Sequence, residues 1–552
     1  MSSRVLSLLA AVVLSAGCTE KTEPQLPAAS RLTIVSPKPQ GPVFRTACAL
    51  PTELLRRLRR GYYPRRSPEI VAVPEAPKFF GNFTATTHSG PWDYLQKVPL
   101  VFYGPGFIKA QGELRLEREM TLADLAPTVA RLLGTRLPEP RPGQPVVEAL
   151  LERPKGRPKL VVVVVWDGGG WNVLRRWPNS WPQLSRLMAR GTSVQEVLVG
   201  SSPSVTPAIH ATIGTGAFPE QHGIVDIPLR VGAEVVGSWD HQSPTYLATR
   251  SLADVYDHAT DNRALIAMVA EKGWHLGMIG HGAELGGADH DVAVMGEAPG
   301  QLYTNPRYYD LPAYLQDVPG YEHDVRAVDA SDGEVDGLWR GHDMLSDPKK
   351  LRLTPSFSLY QNRLIEELVK REGYGRDSLT DLLFTNYKQI DLVGHVWNMT
   401  APEEQDAIRF SDRALGELVA ALDAQVGRRQ WVLAVTADHG QTPLTDNGSA
   451  WPIETNEVVR DVADHFEVSQ RLVQGVRPGA LWLDTSYMKQ HGIDLVEIST
   501  MLLSYQARDN VIDEEPTPEQ FRGHMREKVF EAVFPSSWMP QLWNCAKQRA
   551  KA

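Results

Sequence analysis

Carboxylates and imidazoles with the spacing of metal ligands occur at three places in the chain. Asp391 and His395 lie four residues apart, Asp438 and His439 are adjacent, and Asp167 stands before three glycines. Carboxylate oxygens and imidazole nitrogens together suit zinc, and manganese or iron can also accept them. Asp167 alone would predict only a turn, whereas the three places together predict a metal centre.

A candidate nucleophile lies between these places in the sequence. Thr206 precedes Pro207, and because proline favours the first helical position, the pair predicts Thr206 as an N-cap. A helix N-terminus favours negative charge, whether on an alkoxide or on a phosphate. A metal ion would lower the pKa of the hydroxyl and make it reactive at neutral pH. The alternative is a threonine that only caps its helix.

The elements that must position these residues are buried strands. Apolar runs at 160–165, 381–387 and 431–436 each lead directly into one of the acidic or imidazole groups. Such runs are typical of strands buried on both faces of a parallel sheet, and helical segments at 181–190 and 402–422 lie between them. The alternation predicts an α/β fold with a doubly wound, mostly parallel central sheet. Ligands of such sheets bind beyond the carboxyl ends of the strands.

The composition of the chain is that of a folded globular protein. It has 552 residues, of which 42% are hydrophobic and 22% charged, and a formal net charge of −9. This charge argues against a nucleic-acid-binding surface, which is usually basic. It does not exclude an anionic small-molecule substrate, because bound metal ions can dominate the local field.

The first 18 residues predict an export signal. A short apolar run at 6–14 ends in Leu-Ser-Ala-Gly before Cys18, which resembles a bacterial lipobox. This predicts a lipid anchor on Cys18, a place in the bacterial envelope, and contact with the membrane through that lipid alone. The alternative is a simple cleaved signal with an incidental cysteine. Residues 19–45, rich in proline, serine, threonine and charge, predict a flexible tether.

Two further cysteines, Cys48 and Cys545, complete the cysteine content. An exported protein meets oxidising conditions, so the pair predicts a disulfide. The alternative is two unrelated buried thiols.

The set of residues resembles the alkaline phosphatase superfamily, and within it the type I phosphodiesterase and nucleotide pyrophosphatase branch. The resemblance covers most of 157–240 and 354–445. It is carried by Asp167, Thr206-Pro-Ala-Ile-His210, the stretch 216–223, Asp391-x-x-x-His395 and Asp438-His439-Gly440. It implies two zinc ions and a threonine nucleophile. By resemblance, one zinc is bound by Asp167, Thr206, Asp438 and His439, and the other by Asp391, His395 and one further histidine.

That further histidine lies late in the chains of the family, and here no late histidine stands in the expected loop. The similar loop lies near the N-terminus instead, around His88, and an apolar strand follows it. The family's C-terminal part therefore looks as if it had moved ahead of its N-terminal strand, which predicts a circular permutation. We assign His88 as the missing ligand. The alternative is His524, with residues 46–150 as the remnant of a tandem duplication.

The permutation predicts how the chain is divided. Residues 46–150 would be the permuted segment, 151–158 the joint, and 159–545 the main part of the same catalytic domain, with a small cap-like insertion at about 296–350. The new chain ends would then lie near Cys48 and Cys545, and a disulfide there would rejoin what the permutation had separated.

The resemblance implies hydrolysis of phosphate esters through a phosphothreonine intermediate. The stretch 280–291 lacks the lysine and arginine of related phosphomonoesterases, which favours phosphodiesters. Ile227 stands where many relatives have an asparagine that contacts a phosphoryl oxygen, which leaves that contact unaccounted for. His281 and His290 are weak candidates for substrate contacts. A phosphomonoesterase is the main alternative, and a non-catalytic metal-binding lipoprotein is a more remote one.

Overall fold

The structure is a computed structural model that describes residues 37–82, 86–138, 140–445, 447–512 and 517–550. The predicted export signal, Cys18 and the tether up to residue 36 lie outside the described residues. The predicted tether ends too late, because a helix already begins at Gly41 and buries Val43. Within the described ranges, no helix is both long enough and apolar enough to cross a membrane.

A central sheet of ten strands organises the fold. Nine strands follow one another in the order Leu302–Tyr303, Asp291–Gly296, Ile266–Ala270, Asp381–Tyr387, Leu160–Trp166, Trp431–Thr436, Leu100–Tyr103, Thr192–Val194 and Gly112–Leu114. The tenth, Tyr309–Asp310, pairs with Asp291–Gly296. The five consecutive strands from Asp291–Gly296 to Trp431–Thr436 are parallel, which confirms the predicted fold class.

The strand Leu160–Trp166 is buried on both faces, and its side chains alternate between two hydrophobic cores. Val161, Val163 and Val165 belong to one core, and their neighbours in the strand belong to the other. Each fully buried valine of this kind contributes about 1.5–3 kcal/mol of transfer free energy. The helices Leu125–Leu133, Thr206–Thr215 and Leu252–Ala259 cover the first face, and Pro182–Arg190, Ser356–Leu368 and Pro402–Leu422 cover the second.

A second, antiparallel sheet of four strands lies beside the first. Its order is Val473–Arg477, Ala480–Leu483, Ile70–Pro74 and Phe530–Pro535, and the helices Thr455–His465 and Leu495–Leu503 pack on it. The predicted segment 46–150 thus supplies Ile70–Pro74 to this sheet and Leu100–Tyr103 to the central one. The segment is therefore an integral part of the fold, whereas the permuted order of the chain stays a prediction.

The two ends of the described chain meet. The helices Gly41–Ala49 and Thr52–Gly61 pack against Met539–Arg549. A disulfide joins Cys48 to Cys545, whose Cα atoms are 6.0 Å apart, as predicted.

The predicted insertion at about 296–350 is attached to the edge of the central sheet and to the helix Pro402–Leu422. Arg340 forms an ion pair of 2.6 Å with the buried Asp406 of that helix. The buried ring of Trp339 meets the ring of Trp397 edge to face, with 5.3 Å between centroids. The insertion therefore borders the helix Gln389–Trp397, which carries Asp391 and His395. That it caps the site stays a prediction.

Candidate metal centre

Three neighbouring parallel strands end at one edge of the central sheet, and the predicted ligands follow these ends. Asp167 follows Leu160–Trp166, Asp438 and His439 follow Trp431–Thr436, and Asp391 and His395 lie on the helix after Asp381–Tyr387. Because parallel strands place their carboxyl ends on the same side, residues distant in sequence are brought together there.

The first cluster consists of His88, Asp391 and His395, whose ligand atoms lie within 4.8 Å of one another. Asp391 Oδ1 is 3.4 Å from His88 Nε2 and 3.2 Å from His395 Nε2. Nδ1 of His88 contacts the carbonyl oxygen of Ser204 at 2.9 Å, and Nδ1 of His395 contacts that of Thr86 at 2.7 Å. Donation from Nδ1 leaves both Nε2 lone pairs directed at the cluster.

The second cluster consists of Asp167, Asp438 and His439. His439 Nε2 lies 3.6 Å from Asp167 Oδ1 and 3.4 Å from Asp438 Oδ2. It is also 4.0 Å from Asp391 Oδ1, so the two clusters adjoin. The loop is tight, because a Cβ atom at Gly440 would lie 2.5 Å from the carbonyl oxygen of Tyr94.

Unpaired polar atoms show that these clusters fit metal ions. Asp391 Oδ1, Asp438 Oδ2 and His439 Nε2 are buried and lack a hydrogen-bond partner among the described residues. Leaving such an atom unsatisfied costs about 1–3 kcal/mol, so three in one place need an explanation. Divalent cations bound by these oxygen and nitrogen donors would satisfy all three.

The electrostatics of three ligands agree with metal binding, whereas burial and Asp167 raise the pKa of Asp438, and Asp391 outweighs burial and raises the pKa of His395. Burial, and then the neighbouring His439, lower the pKa of His88 well below its ordinary value. Burial also lowers the pKa of His439. Burial alone would raise the pKa of Asp391, but His395 and Lys388 outweigh it and hold this pKa well below the ordinary value. Neutral imidazoles and ionised carboxylates are the forms that bind metals.

Thr206 lies at the start of its helix but does not cap it. The helix Thr206–Thr215 begins one residue earlier than predicted, so the N-cap residue is Val205 and no side-chain capping bond forms. The Thr206 hydroxyl, 3% exposed, instead contacts the ammonium of Lys388, with 3.1 Å between Oγ1 and Nζ. The prediction of an N-cap is therefore wrong, and so is the alternative of a threonine that only caps.

Two residues at the end of the strand Asp381–Tyr387 belong to the site and were not found from the sequence. Lys388 Nζ lies 2.7 Å from Asp167 Oδ1 and 2.7 Å from Asp391 Oδ2. Burial lowers the pKa of Lys388, but these carboxylates outweigh burial and raise it above its ordinary value. Asn386 donates a 2.9 Å hydrogen bond to Asp167 Oδ2. The available signal was that Asn386 is a polar residue near the end of this buried strand and that Lys388 directly follows it.

Three histidines considered from the sequence lie in neither cluster. His281 is buried, with Nδ1 2.8 Å from Asp254 Oδ2 and Nε2 2.9 Å from a backbone carbonyl, so both nitrogens serve the fold. His290 lies on the surface, 3.2 Å from Asp310. Both ring nitrogens of His281 are thus already engaged, whereas a substrate contact of His290 stays a prediction. His524, the alternative ligand, pairs with Glu527 near the surface.

Comparisons with known proteins identify the family of the chain. The family model described as type I phosphodiesterase / nucleotide pyrophosphatase matches residues 161–547, more than half of the chain. The match leaves out the segment that holds His88, and it does not test the permutation.

Among curated relatives, alkaline phosphatase PafA of Elizabethkingia meningoseptica is 24% identical over 359 residues, covering 55% of this chain and 64% of that protein. Alkaline phosphatase PhoV of Synechococcus elongatus is 24% identical over 332 residues, covering 52% of this chain and 60% of that protein. The chain thus spans less than two thirds of the length of these relatives.

The crystal structure of wild-type alkaline phosphatase PafA is similar in fold. It has a TM-score of 0.52 and 18% identity, and the match covers 69% of this chain and 85% of that chain. The likeness confirms an alkaline phosphatase-like α/β fold.

Proposed function

Because the chain belongs to the type I phosphodiesterase / nucleotide pyrophosphatase family, we propose that it hydrolyses phosphate esters at a two-zinc centre with Thr206 as the nucleophile. One observation carries the proposal. The Thr206 hydroxyl, which caps nothing, contacts the same ammonium that bridges the carboxylates of the two clusters. A hydroxyl placed beside two candidate metal sites is what in-line displacement at phosphorus requires.

The residues divide into two ligand sets and a nucleophile. Asp167, Asp438 and His439 would hold one ion together with Thr206, and His88, Asp391 and His395 would hold the other. When bound, the ions would supply positive charge that favours displacement at phosphorus.

Thr206 carries the covalent step. Its Oγ forms a bond to phosphorus while the ester P–O bond breaks, and the departing alcohol carries away the hydroxyl proton. Water then cleaves the phosphothreonine and restores the hydroxyl.

Phosphodiesters are the first candidate substrates and phosphomonoesters the second. The absence of lysine and arginine from 280–291, together with Ile227, favours diesters, which carry less negative charge. Lys388 favours monoesters, because it places a buried cation inside the centre. The two relatives named alkaline phosphatases also favour phosphomonoesters.

Paired chromogenic substrates test the proposal. The zinc-loaded protein lacking residues 1–18 is assayed with bis-p-nitrophenyl phosphate and with p-nitrophenyl phosphate, as wild type, Thr206→Ala and the surface control Thr500→Ala. We expect turnover by the wild type and the control, loss in Thr206→Ala, and phosphate on the Thr206 peptide after an acid quench. Equal turnover by Thr206→Ala would exclude the threonine mechanism. If the wild type binds two metal ions but turns over neither substrate, the result would favour the alternative of a non-catalytic metal-binding protein.

We also propose that Cys18 carries a lipid and that the enzyme works in the bacterial envelope. The lipobox-like sequence supports this, and the Cys48–Cys545 disulfide suits an oxidising compartment. Incorporation of a labelled fatty acid into the wild type, but not into Cys18→Ser, is the expected result. Equal labelling of both would exclude the anchor.

A further inference from the structure

We propose that Lys388 is a catalytic residue of this centre. Its ammonium is a third positive charge beside the two proposed zinc ions, and the chain itself supplies it. This ammonium holds the Thr206 oxygen and stabilises the negative charge that this oxygen carries once its proton leaves, before its bond to phosphorus is complete. This inference rests on the proposed function and assigns a role to a residue outside the ligand sets.

The three N–H donors of the ammonium have three acceptors. Two are Asp167 Oδ1 and Asp391 Oδ2, each at 2.7 Å, and the third is Thr206 Oγ1 at 3.1 Å. The lysine is only 2% exposed, so water does not compete for these donors. The two carboxylates, one from each cluster, fix the ammonium, and the remaining donor points at the nucleophile.

The position of Lys388 is compatible with metal binding. It contacts Asp391 through Oδ2, whereas the unpaired Oδ1 faces His88 and His395. The unpaired Asp438 Oδ2 is likewise left for a metal. The Oδ1 of Asp167 is shared, and a carboxylate oxygen can accept more than one partner. The ammonium therefore lies beside the metal-ligand atoms and does not replace them.

Lys388 also supplies a positive charge for the phosphoryl group, in place of the lysine and arginine that related phosphomonoesterases have in the stretch 280–291. Ile227 replaces the asparagine of many relatives, and the stretch 280–291 has neither lysine nor arginine for a phosphoryl group. A buried ion pair is weak evidence for a role in stability, since desolvation offsets the attraction between its charges. A preorganised donor at an oxygen that gains charge in the transition state is worth about 10²–10³ in kcat.

The experiment uses the full zinc-loaded chain as wild type, Lys388→Met, Lys388→Arg and the surface control Lys370→Met. Four quantities are measured: kcat, KM, zinc per chain, and the inhibition constants of orthovanadate and inorganic phosphate. Orthovanadate adopts the geometry of the transition state, whereas phosphate resembles the product. For Lys388→Met we expect a kcat about 100-fold lower, a KM within a few-fold, and unchanged zinc content. Orthovanadate should lose more affinity than phosphate, and Lys388→Arg should recover part of it.

Several results would overturn the inference. An unchanged kcat would remove the catalytic role, and a gain of one zinc per chain in Lys388→Met would show that the ammonium occupies a metal position. Loss of zinc in step with kcat would indicate a merely structural lysine. If Lys388→Met does not fold, a further variant, Lys388→Gln, decides, because it keeps a polar side chain without the charge, and unchanged orthovanadate affinity in that variant contradicts the proposed contact. A wild type that binds orthovanadate but turns over no ester would overturn the proposed function alone.

Discussion

The imidazole rings of His88 and His439 are stacked, with 3.4 Å between their centroids and 12° between their planes. His439 follows a central strand, whereas His88 comes from the N-terminal segment, outside the part of the chain that matches the family model. The two rings belong to different clusters, which therefore meet at this stacked pair. The N-terminal segment therefore forms part of the wall of the centre and supplies one of its donors.

The first prediction concerns this donor. His88→Ala should lose one metal equivalent, and metal affinity should fall by more than the 10–100-fold that disturbing an outer partner of a ligand costs. Metal content by mass spectrometry and a competition titration with a chromophoric chelator measure this. His524→Ala is the control, because His524 lies in neither cluster. Full metal content in His88→Ala, with a deficit in the control, would restore His524 as the ligand.

Removal of metal should lower stability. The ligands are brought together only in the folded chain, so an ion at 100 times its Kd stabilises the fold by about 2.7 kcal/mol. We expect a chelator to lower Tm and added zinc to restore it, as measured by thermal unfolding. In Asp391→Asn, whose first cluster lacks its carboxylate, the shift should be smaller. A wild-type Tm that does not respond to the chelator would argue against a resident metal.

The free energy of unfolding should also depend on pH through Asp226, which lies outside the centre. It is 2% exposed, and burial raises its pKa to about 7. The unfolded carboxyl ionises near pH 4 while the folded one stays protonated, so folding stability falls as pH rises from about 4 to 7. The loss is on the order of 4 kcal/mol. Urea unfolding between about pH 4 and pH 7 should show this loss of stability in the wild type and not in Asp226→Asn. Parallel profiles would contradict the assignment.

The sequence predicted those parts of the fold that leave a local pattern. The valines of Leu160–Trp166 predicted a strand buried on both faces, because continuous β-branched runs of that length are typical of central strands in parallel sheets. The antiparallel sheet was not predicted. Ile70–Pro74 pairs with Ala480–Leu483 and Phe530–Pro535, and pairing between such distant segments has no local signal.

The site residues that were predicted have a type and spacing typical of metal ligands. The residues that were missed belong to the site only because tertiary packing buries them there. Asp391 and His395 were visible from their spacing on one helix, and His88 came from the resemblance. Lys388 was missed because a single lysine after a strand is usually solvated. His281 was considered for substrate contacts because it lies in the stretch where related phosphomonoesterases have a lysine and an arginine. Its partner Asp254, distant in sequence, became visible only in the structure.

Loss of the disulfide should destabilise the fold without removing the centre. The bond between Cys48 and Cys545 closes a sequence separation of 497 residues. Removing a native disulfide typically costs roughly 2–5 kcal/mol. Guanidinium unfolding of the Cys48→Ser/Cys545→Ser double variant should show a lower midpoint with unchanged metal content. Cys18→Ser is the matched control. A midpoint equal to that of the control would show that helix packing alone holds the two ends.

The permuted order predicts that the chain can be rejoined in the order of the family. Residues 151–157 are exposed, so new ends at 154 and 155 leave the sheets intact. A flexible linker of about ten residues, which spans up to about 30 Å, can connect Ala550 to Gly41, because Cys545 and Cys48 lie 6.0 Å apart between their Cα atoms. We expect this chain to fold with the circular dichroism spectrum and metal content of the wild type. A chain with the same linker but ends opened between Val163 and Val164 should not fold, because that cut divides the central strand. Aggregation of both chains alike would count against the permutation.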